Sequence, residues 1–555
     1  MPKQDFIEMA TEKTASASIE SMYRVFTVAE EPDSTLGRID QQISHNLAGF
    51  LQDHIVAVEK DLDEVEKDFS SSEIPEQPIF VSEQTQHLLD KLVAHSVHTA
   101  SPSFIGHMTS ALPYFMLPLS RIMIALNQNL VKTETSKAFT PLERQVLGML
   151  HRLVYGASDE FYASNLHDHS IALGSMCSGG TIANLTALWV ARNQCFPADG
   201  DFKGVRKSGL ARALKHYGYD DCAILVSKRG HYSLSKSADL LGLGSDQVIA
   251  IETDDSNRIR PDRLSARCEA LKAAGTRVIA IVGVAGTTET GNVDDLTAVA
   301  AIAKRFGIHF HVDAAWGGPT LFSSTHKHLL KGIELADSVT LDAHKQLYVP
   351  MGSGLVLFKD PLTPNAIEHH AQYIIRKGSR DLGSKTLEGS RPGMALLIQS
   401  ALKIIGRTGY EILIDEGIAK ARFFADEIKK TSLFELISEP ELNLLTYRFA
   451  PESIRRQMAA CSPQQRRDIN ELLSKITKRI QKTQRNRGKA FVSRTRLNPP
   501  QYDYQDCIVF RVVLANPLTT KDILRSVLEE QAGIAAEPEV CELVEQIESI
   551  LKKAA

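Results

Sequence analysis

Lys345 stands in a setting that suggests chemistry. It closes the segment SVTLDAHK, in which a short apolar run leads to His344 and Lys345, and the turn MGSG follows. A lysine amine that is buried among apolar groups loses its proton more readily than a solvated one, which suits it to form a Schiff base with a carbonyl compound. Because most loop lysines are simply solvated, this interpretation depends on other residues nearby.

Asp313 is the second candidate, at the end of the run IHFHVD and before AAWGG. A carboxylate there can hold the nitrogen of a pyridine ring protonated, and such a ring accepts electrons after a carbon–carbon bond breaks. The small side chains of Ala314 and Ala315 leave space above a flat ring. The position therefore suits a planar cofactor.

The same strand also permits a metal hypothesis. His309 and His311 alternate with Asp313 and would share one face of the strand, as metal ligands can. His167 and His169 could assist them in a metal-dependent hydrolase. The residues alone leave this alternative open beside packing of the histidines.

Two further segments fit an anionic, flat ligand. In SMCSGGTIANLTAL, the turn formed by Ser178, Gly179, Gly180 and Thr181 opens a helix whose free N–H groups favour a phosphate. It lacks the GK[ST] ending of a P-loop and the spacing of GxGxxG. In SKRGHYSLSKSADLLG, His231 follows an apolar run, and its ring could stack on a cofactor.

A parallel sheet would bring these segments together. Between about 110 and 360, short β-branched runs such as AILVS and RVIAIVGVAG alternate with amphipathic stretches, as in α/β folds with helices on both faces. The runs are apolar throughout, as expected of strands buried on both sides. Because ligands bind at the carboxyl edge of such sheets, we expect all four segments to meet there.

The rest of the chain predicts flanking units. A helical N-terminal segment is expected over 1–105, a large ligand-binding domain over 106–385 and a small C-terminal domain over 386–555. The charged stretch 463–488 has apolar residues at helical spacing and predicts a solvated amphipathic helix.

Composition excludes several classes of function. The net charge of −4 gives no electrostatic case for nucleic acid or a membrane surface. No apolar run reaches the length of a membrane span, and the first residues do not resemble a secretory signal. The 7 cysteines are scattered and form no CxxC pair, which argues against disulfides and zinc and favours the cytoplasm.

HVDAAWGG and SVTLDAHK, in this order after a glycine turn and a histidine, resemble the group II pyridoxal-dependent decarboxylases over roughly residues 80–530. Their relatives include glutamate, aromatic amino-acid and cysteine-sulfinate decarboxylases. The resemblance implies a type I, aminotransferase-like α/β fold and a homodimer with active sites at the subunit boundary. It also implies pyridoxal 5′-phosphate as the cofactor and no metal.

The resemblance further implies a role for each motif position. Lys345 would carry the cofactor, Asp313 would pair with its ring nitrogen, and His231 and Ala315 would cover the two ring faces. His344 would contact the phosphate or assist proton transfer. The remaining cofactor positions would be the turn Ser178–Gly179–Gly180–Thr181, Thr287 near the 3′ oxygen, and Ser390 from a segment LEGSRPGM that could reach across the boundary with Arg391.

Substrate recognition maps to both ends of the chain. CIVFRVVLANPLTTKDI resembles the end of acidic-substrate members, so Arg511 would grip the distal carboxylate, as a planar guanidinium can. Ile105, Gly106 and His107 replace a Phe-Asn-Gln stretch of the glutamate decarboxylases. These positions are expected to contact the side chain of a small acidic amino acid.

The mobile loop departs from the family. Where relatives place a proton-donating tyrosine, this chain has Ser379 or Arg380, so Tyr373 and His107 are the substitutes we consider. Across its N-terminal half the chain is similar to bacterial aspartate 1-decarboxylases, which make β-alanine for pantothenate and coenzyme A. Glutamate and cysteine sulfinate remain alternative substrates.

Overall fold

The computed structural model describes residues 35–52, 56–58, 60–371, 375 and 378–554. The described N-terminal part is helical, as predicted, and packs beside the larger body. Its helices are α1 (Thr35–Gln52), α2 (Leu62–Lys67), α3 (Val81–His87), a π-helical turn (Leu88–Val93) and α4 (Met116–Leu126).

A seven-stranded sheet forms the centre of the large unit, in the order β1-β7-β6-β5-β4-β2-β3. Neighbours among β3, β2, β4, β5 and β6 run parallel, whereas β7 is antiparallel to both β1 and β6. The strands are β1 (Gly174–Cys177), β2 (Asp221–Ser227), β3 (Val248–Ile251), β4 (Thr276–Val284), β5 (His309–Asp313), β6 (Ser338–Asp342) and β7 (Gly354–Phe358). The mainly parallel sheet confirms the predicted fold class.

Helices flank this sheet, and their apolar sides meet strands that are buried on both faces. They are α5 (Phe139–Tyr155), α6 (Asp159–Asn165), α7 (Gly180–Cys195), α8 (Val205–Ser208), α9 (Leu210–Tyr217), α10 (Ser233–Leu240), α11 (Pro261–Ala273) and α12 (Leu296–Phe306). Every residue of β6 and β7 is buried. The uninterrupted apolar runs of the sequence thus correspond to strands in the middle of the sheet.

The C-terminal part has its own antiparallel sheet, in the order β10-β11-β9-β8. Its strands are β8 (Phe434–Ser438), β9 (Leu444–Phe449), β10 (Ser493–Leu497) and β11 (Cys507–Val513). The accompanying helices are α13 (Ala395–Ile404), α14 (Gly406–Lys430), α15 (Glu452–Met458), α16 (Pro463–Arg487), α17 (Lys521–Ala535) and α18 (Pro538–Ala554).

Helix α16 shows how local sequence sets an element. Ser462 and Gln465 form a reciprocal capping box at its start, and Pro463 occupies the first turn. Gly488 ends the helix in the left-handed conformation. The amphipathic helix predicted over 463–488 is confirmed.

The strands of the antiparallel sheet lie largely in one hydrophobic core, and those of the large sheet are divided among three others. Ile105 belongs to the core of the antiparallel sheet, whereas Ala395 and Ile398 of α13 belong to a core of the large sheet. The division of the chain at 105 and 385 stays a prediction. No helix in the described part of the chain has both the length and the apolar character that a membrane span needs.

Candidate active site

A cavity of about 510 Å³ opens at the carboxyl edge of the large sheet. This volume suits a drug-sized ligand or a cofactor with a small substrate. Residues that follow β1, β2, β4, β5 and β6 line it, as expected for an open α/β sheet. The sequence-predicted residues in its wall are Ser178, Gly179, Gly180, Thr181, His231, Asp313, Ala315, His344, Lys345, Arg511 and His107.

The glycine turn joins β1 to the N-terminus of α7. Its backbone N–H groups and the helix dipole favour an anion at this point. The Ser178 N–H already donates a 2.9 Å hydrogen bond to Glu388 Oε2. An anionic oxygen therefore sits at the turn, where the sequence predicts a phosphate.

Asp313 ends β5 at the floor of the cavity and is 7% exposed. Asn184 donates to its Oδ2 at 2.9 Å, and the Ala315 N–H donates to its Oδ1 at 3.1 Å. These two hydrogen bonds engage both oxygens of the carboxylate. The side chain is fixed in position before any ligand binds.

His231 follows β2 and is held by the start of α10. Its Nδ1 lies 2.9 Å from Ser233 Oγ and accepts a 3.3 Å bond from the Ser233 N–H. Burial is the main cause that lowers the pKa of His231, while Asp313 acts in the opposite direction. The ring is thus neutral near pH 7 and available for stacking.

Lys345 lies just beyond β6, close to a carboxylate that the sequence analysis did not consider. Lys345 Nζ is 3.0 Å from Asp342 Oδ2, and His344 Nε2 is 3.7 Å from the same oxygen. His344 Nδ1 donates to the Ser353 carbonyl at 2.8 Å, which fixes its ring. The amine, the imidazole and the carboxylate all line the cavity.

Arg511 reaches the cavity from β11 of the antiparallel sheet. Its Nε donates to the Thr288 carbonyl at 2.6 Å, and its Nη1 donates to the Gly106 carbonyl at 3.3 Å and to Ser493 Oγ at 3.4 Å. Within the described chain no hydrogen bond is found for Nη2. Burial lowers the pKa of Arg511 to about 10, so the guanidinium is still charged at neutral pH.

The three residues predicted to contact the substrate side chain, Ile105, Gly106 and His107, differ in their positions relative to the cavity. His107 lines the cavity, and burial, with Arg511 and Lys345, lowers its pKa. Gly106 acts through its carbonyl, which accepts the bond from Arg511. The Ile105 side chain is fully buried in the core of the small sheet and does not line the cavity.

Two predicted cofactor residues, Thr287 and Ser390, do not line the cavity. Thr287 is fully buried and its Oγ1 lies 2.8 Å from that of Thr290, whereas its neighbour Thr288 lines the cavity. Ser390 Oγ accepts a 2.9 Å bond from Asn129, and Arg391 forms a buried ion pair with Glu143. Both contacts lie within the chain, and a role of this segment at a subunit boundary stays a prediction.

The metal hypothesis is wrong for the described residues, where no group of three potential ligands could hold an ion. His309 Nε2 and His311 Nδ1 both face Ser338 Oγ, at 2.8 and 2.9 Å, and His311 Nε2 faces Asn184 Oδ1 at 3.1 Å. Hydrogen bonds thus use these ring nitrogens. His167 and His169 are absent from the cavity wall.

Comparison with known proteins decides the family. The pyridoxal-dependent decarboxylase conserved domain matches residues 63–450, well over half of the chain. The chain belongs to this family. Pyridoxal phosphate is accordingly its cofactor.

Two named relatives match most of the sequence. The chain is 61% identical over 528 residues to an aspartate 1-decarboxylase of Aliivibrio fischeri, covering 95% of this chain and 96% of the relative. It is 31% identical to the cysteine sulfinic acid decarboxylase of Mus musculus, over 79% of this chain and 83% of that one.

A solved structure supports the type I fold. The apo form of mouse CSAD superposes with a TM-score of 0.77 at 27% identity, covering 90% of this chain and 98% of that chain. The similarity therefore extends over most of both chains.

The residues of the cavity fit pyridoxal phosphate. The turn at Ser178 already donates to a carboxylate oxygen of Glu388, and Asp313 is fixed by two donors. Lys345 supplies an amine, and Ala315 leaves space beside it. The turn would hold the phosphate of the cofactor, Asp313 would hold its ring nitrogen, and Lys345 would bond its aldehyde.

Sequence reasoning missed Asn184, Arg229, Thr288 and Asp342, all of which line the cavity. Asn184 had a usable signal, because it lies four residues after Gly180 on the same helix face. Asp342 likewise lies only three residues before Lys345. Ser379 and Arg380 do not line the cavity, and Tyr373 lies outside the described residues.

Proposed function

We propose that this enzyme removes the α-carboxylate of L-aspartate, giving β-alanine and carbon dioxide. The observation that carries the proposal is the 61% identity to the Aliivibrio fischeri aspartate 1-decarboxylase over 528 residues. The charged Arg511 in the cavity wall supports an acidic side chain. Glutamate and cysteine sulfinate are the competing substrates that an experiment must exclude.

Each cavity group has a distinct task in this proposal. Bound pyridoxal phosphate supplies an electron-withdrawing ring that takes up the electron pair left by the departing carboxylate. Lys345 would bond the cofactor through Nζ, and Asp313 would hold a proton at the ring nitrogen. His231 would cover one ring face and exclude water, and Ala315 would lie against the other.

Arg511 would orient the substrate. Its Nε and Nη1 are occupied by Thr288, Gly106 and Ser493, so Nη2 and the positive charge are left for the distal carboxylate. Fixing that carboxylate also fixes which bond at the α-carbon stands perpendicular to the ring. Positioning of this kind is a main source of rate acceleration.

His107 is our proposed proton source for the α-carbon. It lines the cavity with Arg511 and Lys345, and burial, followed by the charges of these two residues, lowers the pKa of His107 below its ordinary value. The ring would relay a proton from solvent through one nitrogen to the other. His344 would contact the phosphate, close to the turn.

We also propose a cytoplasmic homodimer that supplies β-alanine for pantothenate and coenzyme A. Helix α4 supports the dimer, because Leu117, Ile122 and Ile124 are 55%, 45% and 69% exposed. Tyr114 just before it is 88% exposed. Apolar side chains grouped in this way are typical of a surface that another subunit covers.

The testing experiment measures carbon dioxide release from purified enzyme with added cofactor and, in parallel, aspartate, glutamate and cysteine sulfinate. We expect aspartate to have the highest kcat/KM. A preference for either other acid would overturn the substrate assignment.

Lys345→Ala tests the lysine assignment in the same assay. It should remove both turnover and the visible absorbance of the cofactor bonded to the protein, while the exposed Lys327→Ala serves as control. Normal turnover of the Lys345→Ala enzyme would contradict the assigned role.

A further inference from the structure

Asp342 is a buried carboxylate at the centre of the site, without a role in the reaction proposed above. It ends β6, is 2% exposed and still lines the cavity. Its Oδ2 pairs with Lys345 Nζ at 3.0 Å. Asp342 also precedes the turn that carries His344 and Lys345. Its Oδ1 is buried and has no hydrogen-bond partner among the described residues.

The carboxylate is pressed against the anion-binding turn. A Cβ built on Gly180 would lie 2.7 Å from Asp342 Oδ2, and one built on Gly354 would lie 2.6 Å from Oδ1. Only glycine fits at either position without moving Asp342. The carboxylate therefore lies at the N-terminus of α7, where the free N–H groups of the helix attract negative charge.

A phosphate at this turn would meet a resident negative charge. Two negative charges that share a buried site repel each other. The repulsion commonly amounts to the free energy of one or more pKa units, which corresponds to about a tenfold change in a binding constant. Glu388 adds a second carboxylate, bonded to the Ser178 N–H. The nearby cations are Lys345, which Asp342 engages directly, and the guanidinium groups of Arg229 and Arg511 in the same wall.

We propose that Asp342 is a positioning residue that holds Lys345 at the turn in the cofactor-free enzyme and lowers the affinity of the turn for phosphate. This inference rests on the proposed function, which makes Lys345 and the turn the cofactor site. Lys345 neutralises Asp342 until cofactor binding withdraws the lysine. The pair thus makes cofactor binding weaker and more readily reversible than the turn alone would allow.

The test measures binding of inorganic phosphate to cofactor-free enzyme by titration calorimetry. Asp342→Asn should lower the dissociation constant for phosphate by about tenfold or more, since it removes one negative charge and keeps the shape of the side chain. Asp342→Ser, which removes the charge and needs less space, gives the same prediction if the amide disturbs folding. Unchanged or weaker phosphate binding in the folded variants would overturn the proposal.

A matched control removes the carboxylate that pairs with another lysine, away from the cavity. Glu368 Oε1 pairs with Lys385 Nζ at 2.9 Å, and neither residue lines the cavity. Glu368→Gln should leave phosphate binding unchanged. A gain equal to that of Asp342→Asn would show a general effect of charge and overturn the assignment to Asp342.

The role of Lys345 is tested by repeating Asp342→Asn in a Lys345→Ala enzyme. Without the ammonium group the carboxylate is unpaired, so its removal should improve phosphate binding by a larger factor than in the parent. An equal or smaller gain would overturn the claim that Lys345 restrains Asp342.

Failure of the aspartate assignment appears in the carbon dioxide assay, whereas failure of the assignment of Lys345 and the turn to the cofactor site appears in the absorbance. In the second case the parent enzyme shows no lysine-dependent cofactor absorbance, whatever its phosphate affinity. If that absorbance is present and Asp342→Asn leaves phosphate affinity unchanged, only the present inference fails.

Discussion

Asn184 donates a 2.9 Å hydrogen bond to Asp313 Oδ2, and its own carbonyl oxygen lies 3.1 Å from His311 Nε2. His311 Nδ1 in turn meets Ser338 Oγ at 2.9 Å. All four side chains are buried, so the bonds form a continuous chain behind the cavity floor. The alternating histidines of β5 thus help to orient the aspartate.

Replacement of Asn184 by leucine should lower turnover by about tenfold to a hundredfold, because a bond to a charged group is lost from a buried site. Cofactor content, measured by absorbance, should change less than kcat. Asn193→Leu is the control on the same helix, since Asn193 bonds the Ala366 carbonyl away from the cavity. Equal losses of kcat in both variants would contradict the role of Asn184.

Asp313→Asn should lose several orders of magnitude in kcat while it still binds cofactor. An amide cannot hold the ring nitrogen protonated as a carboxylate does. The measurement pairs kcat with cofactor stoichiometry for the parent and variant enzymes. A variant with near-normal kcat would show that Asp313 has another task.

Arg511→Lys should raise KM for aspartate by about tenfold, with a smaller change in kcat, since an ammonium group cannot reproduce the directed N–H groups of a guanidinium. The buried arginine also donates to two carbonyls that would lose a partner. Exposed Arg494 on the neighbouring strand provides the control Arg494→Lys. An unchanged KM for Arg511→Lys would place substrate recognition elsewhere.

The buried pair of Glu143 and Arg391 should dominate local stability. Their side chains are 1% and 6% exposed, and Arg391 Nη2 donates to Glu143 Oε1 at 2.6 Å. Glu143→Ala leaves the guanidinium buried and unpaired, which costs about 3–5 kcal/mol in the free energy of unfolding.

Urea denaturation at fixed protein concentration measures this loss. The control is Glu269→Ala, which breaks an exposed pair with Arg305 and should cost at most about 1 kcal/mol. Similar losses of unfolding free energy in both variants would show that burial does not make the Glu143–Arg391 pair more important than an exposed pair.

His151 should make stability depend on pH. Burial lowers the pKa of His151 from 6.5 to about 4, and its partners, Tyr162 OH at 2.8 Å and the Phe358 carbonyl at 3.1 Å, fit a neutral ring. Between these values the unfolded chain binds a proton that the folded protein does not. Stability is therefore full above about pH 6.5 and falls as pH drops towards 4, by up to about 3 kcal/mol.

His151→Gln tests this dependence, because glutamine can donate to the carbonyl and accept from the tyrosine without titrating. Urea midpoints at pH 7.5, 6 and 5 should fall less steeply for the variant than for the parent. Identical slopes would rule out His151 as a contributor.

Sequence reasoning placed the main site residues through strand ends. Lys345, Asp313, His231 and the turn at Gly180 each follow a recognisable apolar run, and a parallel sheet brings such ends to one edge. It left two interpretations of His309 and His311 open, as metal ligands or as packed side chains, because the spacing on one strand face is the same for both. Their partners Ser338 and Asn184 come from other elements, so local spacing could not reveal them.

The sequence by itself determined the α/β architecture, the family motifs and the presence of Lys345, Asp313 and a glycine turn at the ends of separate strands. These follow from local periodicity and from residue types at strand ends. Only the tertiary structure decided that Ile105 packs away from the cavity, that Arg511 is held by Thr288 and Gly106, and that Asp342 pairs with Lys345. Such contacts depend on side-chain directions and on distances between segments far apart in the chain, which packing sets and spacing along the sequence does not.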